Sequence, residues 1–97
     1  MMRHIVMFRR LPGVDKQPQL EQQLIERMRN LESEIDFIRG WLVAANELDR
    51  PICWDYILES TFDDADAVAR YLPHPAHQAL VADLKQYFEW VAVDYTQ

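Results

Sequence analysis

The sequence predicts an α+β fold, a four-stranded antiparallel sheet with helices on one face, in the order β-α-β-β-α-β. Three observations predict it. Arg3 to Arg9 is an unbroken run rich in β-branched, aromatic and long apolar side chains, as a strand requires. Leu20 to Ile35 carries an apolar stripe at helical spacing. A second helical stretch, interrupted by two prolines, leads into a short alternating tail from Trp90 to Tyr95. The chain of 97 residues is 49% hydrophobic, which suits one domain over residues 1–97 with a single core.

Alternation along the first strand puts His4, Val6 and Phe8 on one face and Arg3, Ile5 and Met7 on the other. Both faces are largely apolar, so something is expected to cover each of them. Leu11-Pro12-Gly13 ends the strand with turn residues. Asp15 is the expected N-cap of the first helix, with Pro18 tolerated in its first turn. Leu20, Leu24, Met28, Leu31 and Ile35 form its buried stripe, which Ile25 widens, and Glu21, Gln22, Glu26, Arg27 and Arg29 are assigned to the wet face.

Phe37 to Ala45 reads as a second strand with a bend at Gly40, and Ile52 to Phe62 as a third. In the third, Trp54, Tyr56, Leu58, Ser60 and Phe62 are expected toward the helices, and Cys53, Asp55, Ile57, Glu59 and Thr61 away from them. Asp63 or Asp64 caps a helix from Ala65 to Leu72. In the last strand Val91, Val93 and Tyr95 alternate against Ala92 and Asp94; Asp94 and Glu59 are assigned to the side away from the helices, within reach of Arg3 or Arg9.

Charge excludes some function classes. A net charge of −6 with no basic stripe argues against binding a nucleic-acid backbone or an anionic membrane surface. The apolar run at the N-terminus is too short for a signal-peptide core or a membrane span, and Cys53 is alone, so neither a disulfide nor a cysteine metal site is expected. The expected residence is cytoplasmic.

The stretch with most chemical content is Tyr71-Leu72-Pro73-His74-Pro75-Ala76-His77. Pro73 breaks the helix and Pro75 suits the first turn of a new one, giving a rigid elbow. Beyond it, His77, Leu80, Val81, Leu84 and Phe88 recur at helical spacing, which turns His77 inward; His4 reaches the same helix-covered space. A neutral imidazole in apolar surroundings suits a general base, and a phenol suits a hydrogen-bond donor to an oxygen that gains charge. The alternative is structural: Tyr71, His77 and His4 hydrogen-bond one another and pin the elbow to the first strand. His74, between prolines, reads as part of the hinge, and a His4/His74/His77 metal site is not expected because residues across the elbow need not converge. Val6, Phe8, Leu24, Met28, Tyr56, Leu58 and Phe88 would line any cavity there, or simply fill it as core.

With Arg3-His4-Ile5-Val6-Met7-Phe8 at the start, Tyr71 followed by His74-Pro75-Ala76-His77, and the closing Val93-Asp94-Tyr95, the chain resembles the stress-responsive dimeric α/β-barrel (Dabb) family over almost its whole length. That resemblance implies a ferredoxin-like fold whose sheets pair face to face in a homodimeric barrel. Most members have no assigned chemistry. A few, plant polyketide cyclases among them, close rings by aldol condensation with no cofactor, and likeness to these implies His77 as the base, Tyr71 as its support and His4 nearby. The third-strand position where such cyclases can carry another histidine is Tyr56 here, which implies a pocket of different polarity. The expected ligand is small and apolar or phenolic; the remaining alternatives are a binding module without chemistry and a purely structural dimerisation domain.

Overall fold

The computed structural model describes residues 1–97. Its elements are β1 (Met2–Arg10), α1 (Pro18–Glu34), β2 (Gly40–Ala45), β3 (Tyr56–Phe62), α2 (Ala65–Tyr71), α3 (Pro75–Leu84) and β4 (Phe88–Thr96). The strands make one antiparallel sheet in the order β2-β3-β1-β4, so the split arrangement expected from the sequence is borne out and the fold is ferredoxin-like. All three helices lie on the face that carries His4, Val6 and Phe8, and a core of 17 buried hydrophobic residues fills the space between. No helix is long and apolar enough to cross a membrane.

Several boundaries move for physical reasons. Helix α1 starts at Pro18 with Gln17 as an N-cap that makes no side-chain hydrogen bond, so Asp15 does not cap it. Proline at the first helical position lacks an amide hydrogen, so one of the unpaired donors at this end is simply absent. Strand β2 begins at Gly40 rather than Phe37. A Cβ on Gly40 would sit 3.1 Å from Thr61 Oγ1, so the glycine serves close approach to β3 more than a bend. Strand β3 begins at Tyr56 rather than Ile52. The preceding loop turns Trp54 to the face away from the helices, where the Arg9 guanidinium stacks 4.4 Å from its ring. Asp64 is the cap of α2 and accepts from the Ala67 amide at 2.9 Å.

The elbow is a true break. Helix α2 stops at Tyr71, and α3 starts with Pro75 at its first position and His74 as N-cap, the His74 Nδ1 accepting from the Ala76 amide at 3.1 Å. Helix α3 ends at Leu84, so Phe88 belongs to β4 and not to the helical stripe.

The open face of the sheet carries Met7 on β1, Leu42 on β2 and Val91, Val93 and Tyr95 on β4, all exposed, with Ile5 and Ile57 half-buried among them. Arg3 and Glu59 pair there at 3.4 Å. Asp94 does not join them. The β1–β4 register sets it opposite His4, on the helix side.

Candidate functional site

The first strand, the last strand and the elbow bring three polar side chains to one place. His4 is buried on β1, Tyr71 is 1% exposed at the end of α2, and His77 is half-buried in the first turn of α3. The Tyr71 ring centroid lies 4.4 Å from that of His77 and 5.9 Å from that of His4, so the phenol ring packs against both imidazoles. Together they border a cavity of about 270 Å³ under the helices. Its floor is Val6 and Phe8 of β1 and Leu58 of β3; its walls include Met28 and Leu31 of α1 and Leu80, Val81 and Leu84 of α3. Trp90, Ala92 and Asp94 of β4 line one side, and because Ala92 and Asp94 are exposed, the cavity opens along this edge.

The hydrogen bonds around the cavity fix which atoms are free. The Nδ1–H of His77 donates to the Leu72 carbonyl at 2.7 Å, a group left over where α2 ends, and the Gln78 amide donates to the same oxygen at 2.7 Å. The neutral ring therefore carries its lone pair on Nε2. His4 Nδ1 pairs with the Asp94 carboxylate, which orients that ring in the same sense. Tyr71 hydrogen-bonds to neither histidine; its hydroxyl has no protein partner although the residue is almost wholly buried. Burial pushes its pKa well above the ordinary phenol value, so it stays a donor at neutral pH. Burial also lowers the His77 pKa below 6.5, against the Leu72 hydrogen bond that raises it, and the neighbouring His4 and His74 add to the lowering. Neutral His77 is the form a general base needs.

Of the side chains expected around the pocket, Val6, Phe8, Met28 and Leu58 line it, with Tyr71, His77 and His4 at its polar end. Leu24, Tyr56 and Phe88 do not. They pack at the other end of the core, where the Tyr56 hydroxyl donates to Glu21 Oε1 at 2.8 Å. Glu21 is itself buried, not on the wet face, and Arg10 grips both of its oxygens at 2.7 and 2.6 Å. Asp94 is the residue sequence reasoning misplaced, since strand parity alone does not say which set of alternating residues faces the helices. His74 spends its Nδ1 on the cap of α3 and takes no part in the cavity. No group of three or more His, Cys, Asp or Glu side chains is placed to hold a metal ion.

Comparison with known proteins agrees with this architecture. The family model for the stress responsive A/B barrel domain matches residues 2–97. An uncharacterized protein of Streptomyces coelicolor is 43% identical over 95 residues, covering 98% of each chain. A dimeric protein of unknown function and ferredoxin-like fold from Bacteroides fragilis is 30% identical with a TM-score of 0.86, over 99% of this chain and 95% of that one. The hydroxynitrile lyase of Passiflora edulis superposes with a TM-score of 0.82 over 97% of this chain and 90% of that one; at 19% identity this likeness shows the fold alone.

Proposed function

The chain belongs to the stress responsive A/B barrel domain family, and on that premise we propose that it binds a small apolar carbonyl compound beside Tyr71 and moves protons on it with His77. One observation carries this reading: Tyr71 is almost wholly buried, yet its hydroxyl has no protein partner and opens onto the cavity. A hydroxyl that spends no bond on the protein and faces an apolar cavity is free to donate to a ligand oxygen. A carbonyl oxygen there would accept from Tyr71 as it becomes an enolate, while His77 Nε2 takes the proton from the adjacent carbon. An aldol closure, an enolisation or a retro-addition needs only these two groups. His4, held by Asp94, packs edge-on against the phenol ring and supports its orientation.

A second copy of the chain is proposed to cover the open face of the sheet. The exposed Met7, Leu42, Val91, Val93 and Tyr95 support this, as does the dimeric description of the Bacteroides fragilis relative. The cavity lies on the opposite face, so pairing would leave its walls intact.

The test is exchange of the α-protons of an alkyl aryl ketone such as acetophenone in heavy water, followed by NMR. The intact protein is expected to accelerate exchange. His77→Ala should slow it by about a hundredfold or more and Tyr71→Phe by about a hundredfold, the range for losing a general base or an oxyanion donor. Equal rates in wild type and His77→Ala, with both folded by circular dichroism, would remove His77 as the base. Saturable ketone binding without any exchange would favour the second reading, a binding module without chemistry, which the cavity also supports.

A further inference from the structure

The polar groups of the cavity restrict the charge of what it can hold. No Lys or Arg side chain lines it. With the carboxylate ionised, the His4–Asp94 pair carries a charge of −1 when the imidazole is neutral and 0 when it is protonated, so it is not positive in either case. Asp94 stands at the open edge, with 47% of its side chain exposed, and any ligand entering there passes it. Inside, Tyr71 offers the one free hydroxyl donor, whereas neutral His77 offers an acceptor through Nε2. A carboxylate brought in would lose its hydration and gain a single neutral donor beside a like charge. A ligand that accepts one hydrogen bond from Tyr71 and donates another to His77, with no charge, suits this pair.

We propose that this site selects uncharged hydroxy-carbonyl compounds over the matching carboxylates, with Asp94 as the residue that sets the charge preference. The inference rests on the pocket reading above and adds a ligand class to it. The long-range field acts in the same direction, since a net charge of −6 lowers the local concentration of anions.

The experiment uses a matched pair of the same size, 2′-hydroxyacetophenone (the ortho-hydroxyphenyl methyl ketone) and salicylate, titrated into the full chain at neutral pH by calorimetry or by amide NMR shifts. The ketone is expected to bind about tenfold more tightly or better, from like-charge repulsion in partly excluded water. Asp94→Asn keeps an acceptor for His4 Nδ1 and removes the charge; it should narrow the gap several-fold by improving salicylate. Val81→Trp, on a half-buried wall of the cavity, should abolish ketone binding and so locate it. Salicylate binding as tightly as the ketone, or a preference unchanged by Asp94→Asn, overturns the charge selection while leaving the pocket reading intact. Saturation by neither compound, or ketone binding undiminished in Val81→Trp, overturns both.

Discussion

At the scale of single residues, two buried polar groups behave in opposite ways. Glu21 is fully satisfied: Arg10 holds both oxygens, and Tyr56 and the Gln17 amide add to one each. Burial alone would raise its pKa; the hydrogen bonds from Arg10 and Tyr56 outweigh that and hold it below 4.5. Burial and the bond to Glu21 push the Tyr56 phenol up to about 12. Because the folded-state pKa of Glu21 is depressed, its stabilisation is present above the unfolded value and is lost as pH falls from about 4.5. The stability of wild type should therefore fall more steeply with acid than that of Glu21→Gln, the gap between the two closing as the carboxyl protonates. Glu21→Ala leaves Arg10 without one of its two carboxylate partners and is expected to cost about 3 kcal/mol in chemical denaturation. A change under 1 kcal/mol would mean that Asp55, which also reaches Arg10 at 3.0 Å, suffices. Tyr71, by contrast, is unsatisfied within the protein. Its conversion to phenylalanine should leave stability unchanged or slightly improved, which a thermal melt can check.

The lowered pKa of His77 predicts a pH profile. Proton abstraction requires the neutral ring, so the α-proton exchange rate should rise with pH, level off below the ordinary value of about 6.5, and stay flat through neutrality. A rate that still climbs steeply above pH 7 would assign the base to another group.

At the scale of elements, what was legible follows the strength of each periodic signal. The stripe from Leu20 to Ile35 and the alternation of β1 gave their faces correctly, because burial on one side imposes a period that few other arrangements produce. The prolines gave the elbow, since they remove conformations outright. Glu21 was missed although the signal was present: it stands three residues before Leu24 and four before Ile25, on the buried stripe, but a carboxylate reads as surface until its partners are known. The partners come from β1 and β3, and no local pattern announces a contact across the sheet. Asp94 failed for a related reason, as only the β1–β4 register sets it against His4. Tyr56, Leu24 and Phe88 have the character of pocket residues and the right face; the end of the core they occupy depends on how α3 and α1 meet. The Asp64 cap, legible from the sequence as one of two choices, carries a test of its own. Asp64→Ala should destabilise the fold by about 1 kcal/mol, and Asp63→Ala by less, because Asp63 is an exposed partner of Arg39.

At the scale of the molecule, one sheet separates two surfaces. The helix side encloses the cavity, and the open side presents an apolar surface. Val93→Asp places a charge at the most exposed of the open-face β4 positions and should convert the protein to monomer in sedimentation velocity, with little effect on the monomer's own core. A dimer that survives this change would place the interface elsewhere. If exchange activity persists in the monomer, the site is complete within one chain, as its lining residues suggest. The central claim is that the free phenol and the free imidazole nitrogen are kept for a ligand, and the most direct measurement is a crystal structure of the complex with 2′-hydroxyacetophenone. The account predicts the ketone in the cavity between β1, β4 and α3, its carbonyl oxygen about 2.6–3.2 Å from the Tyr71 hydroxyl and its methyl carbon facing His77 Nε2. A cavity that stays empty at saturating ketone, or a ketone bound only on the open face, would contradict it.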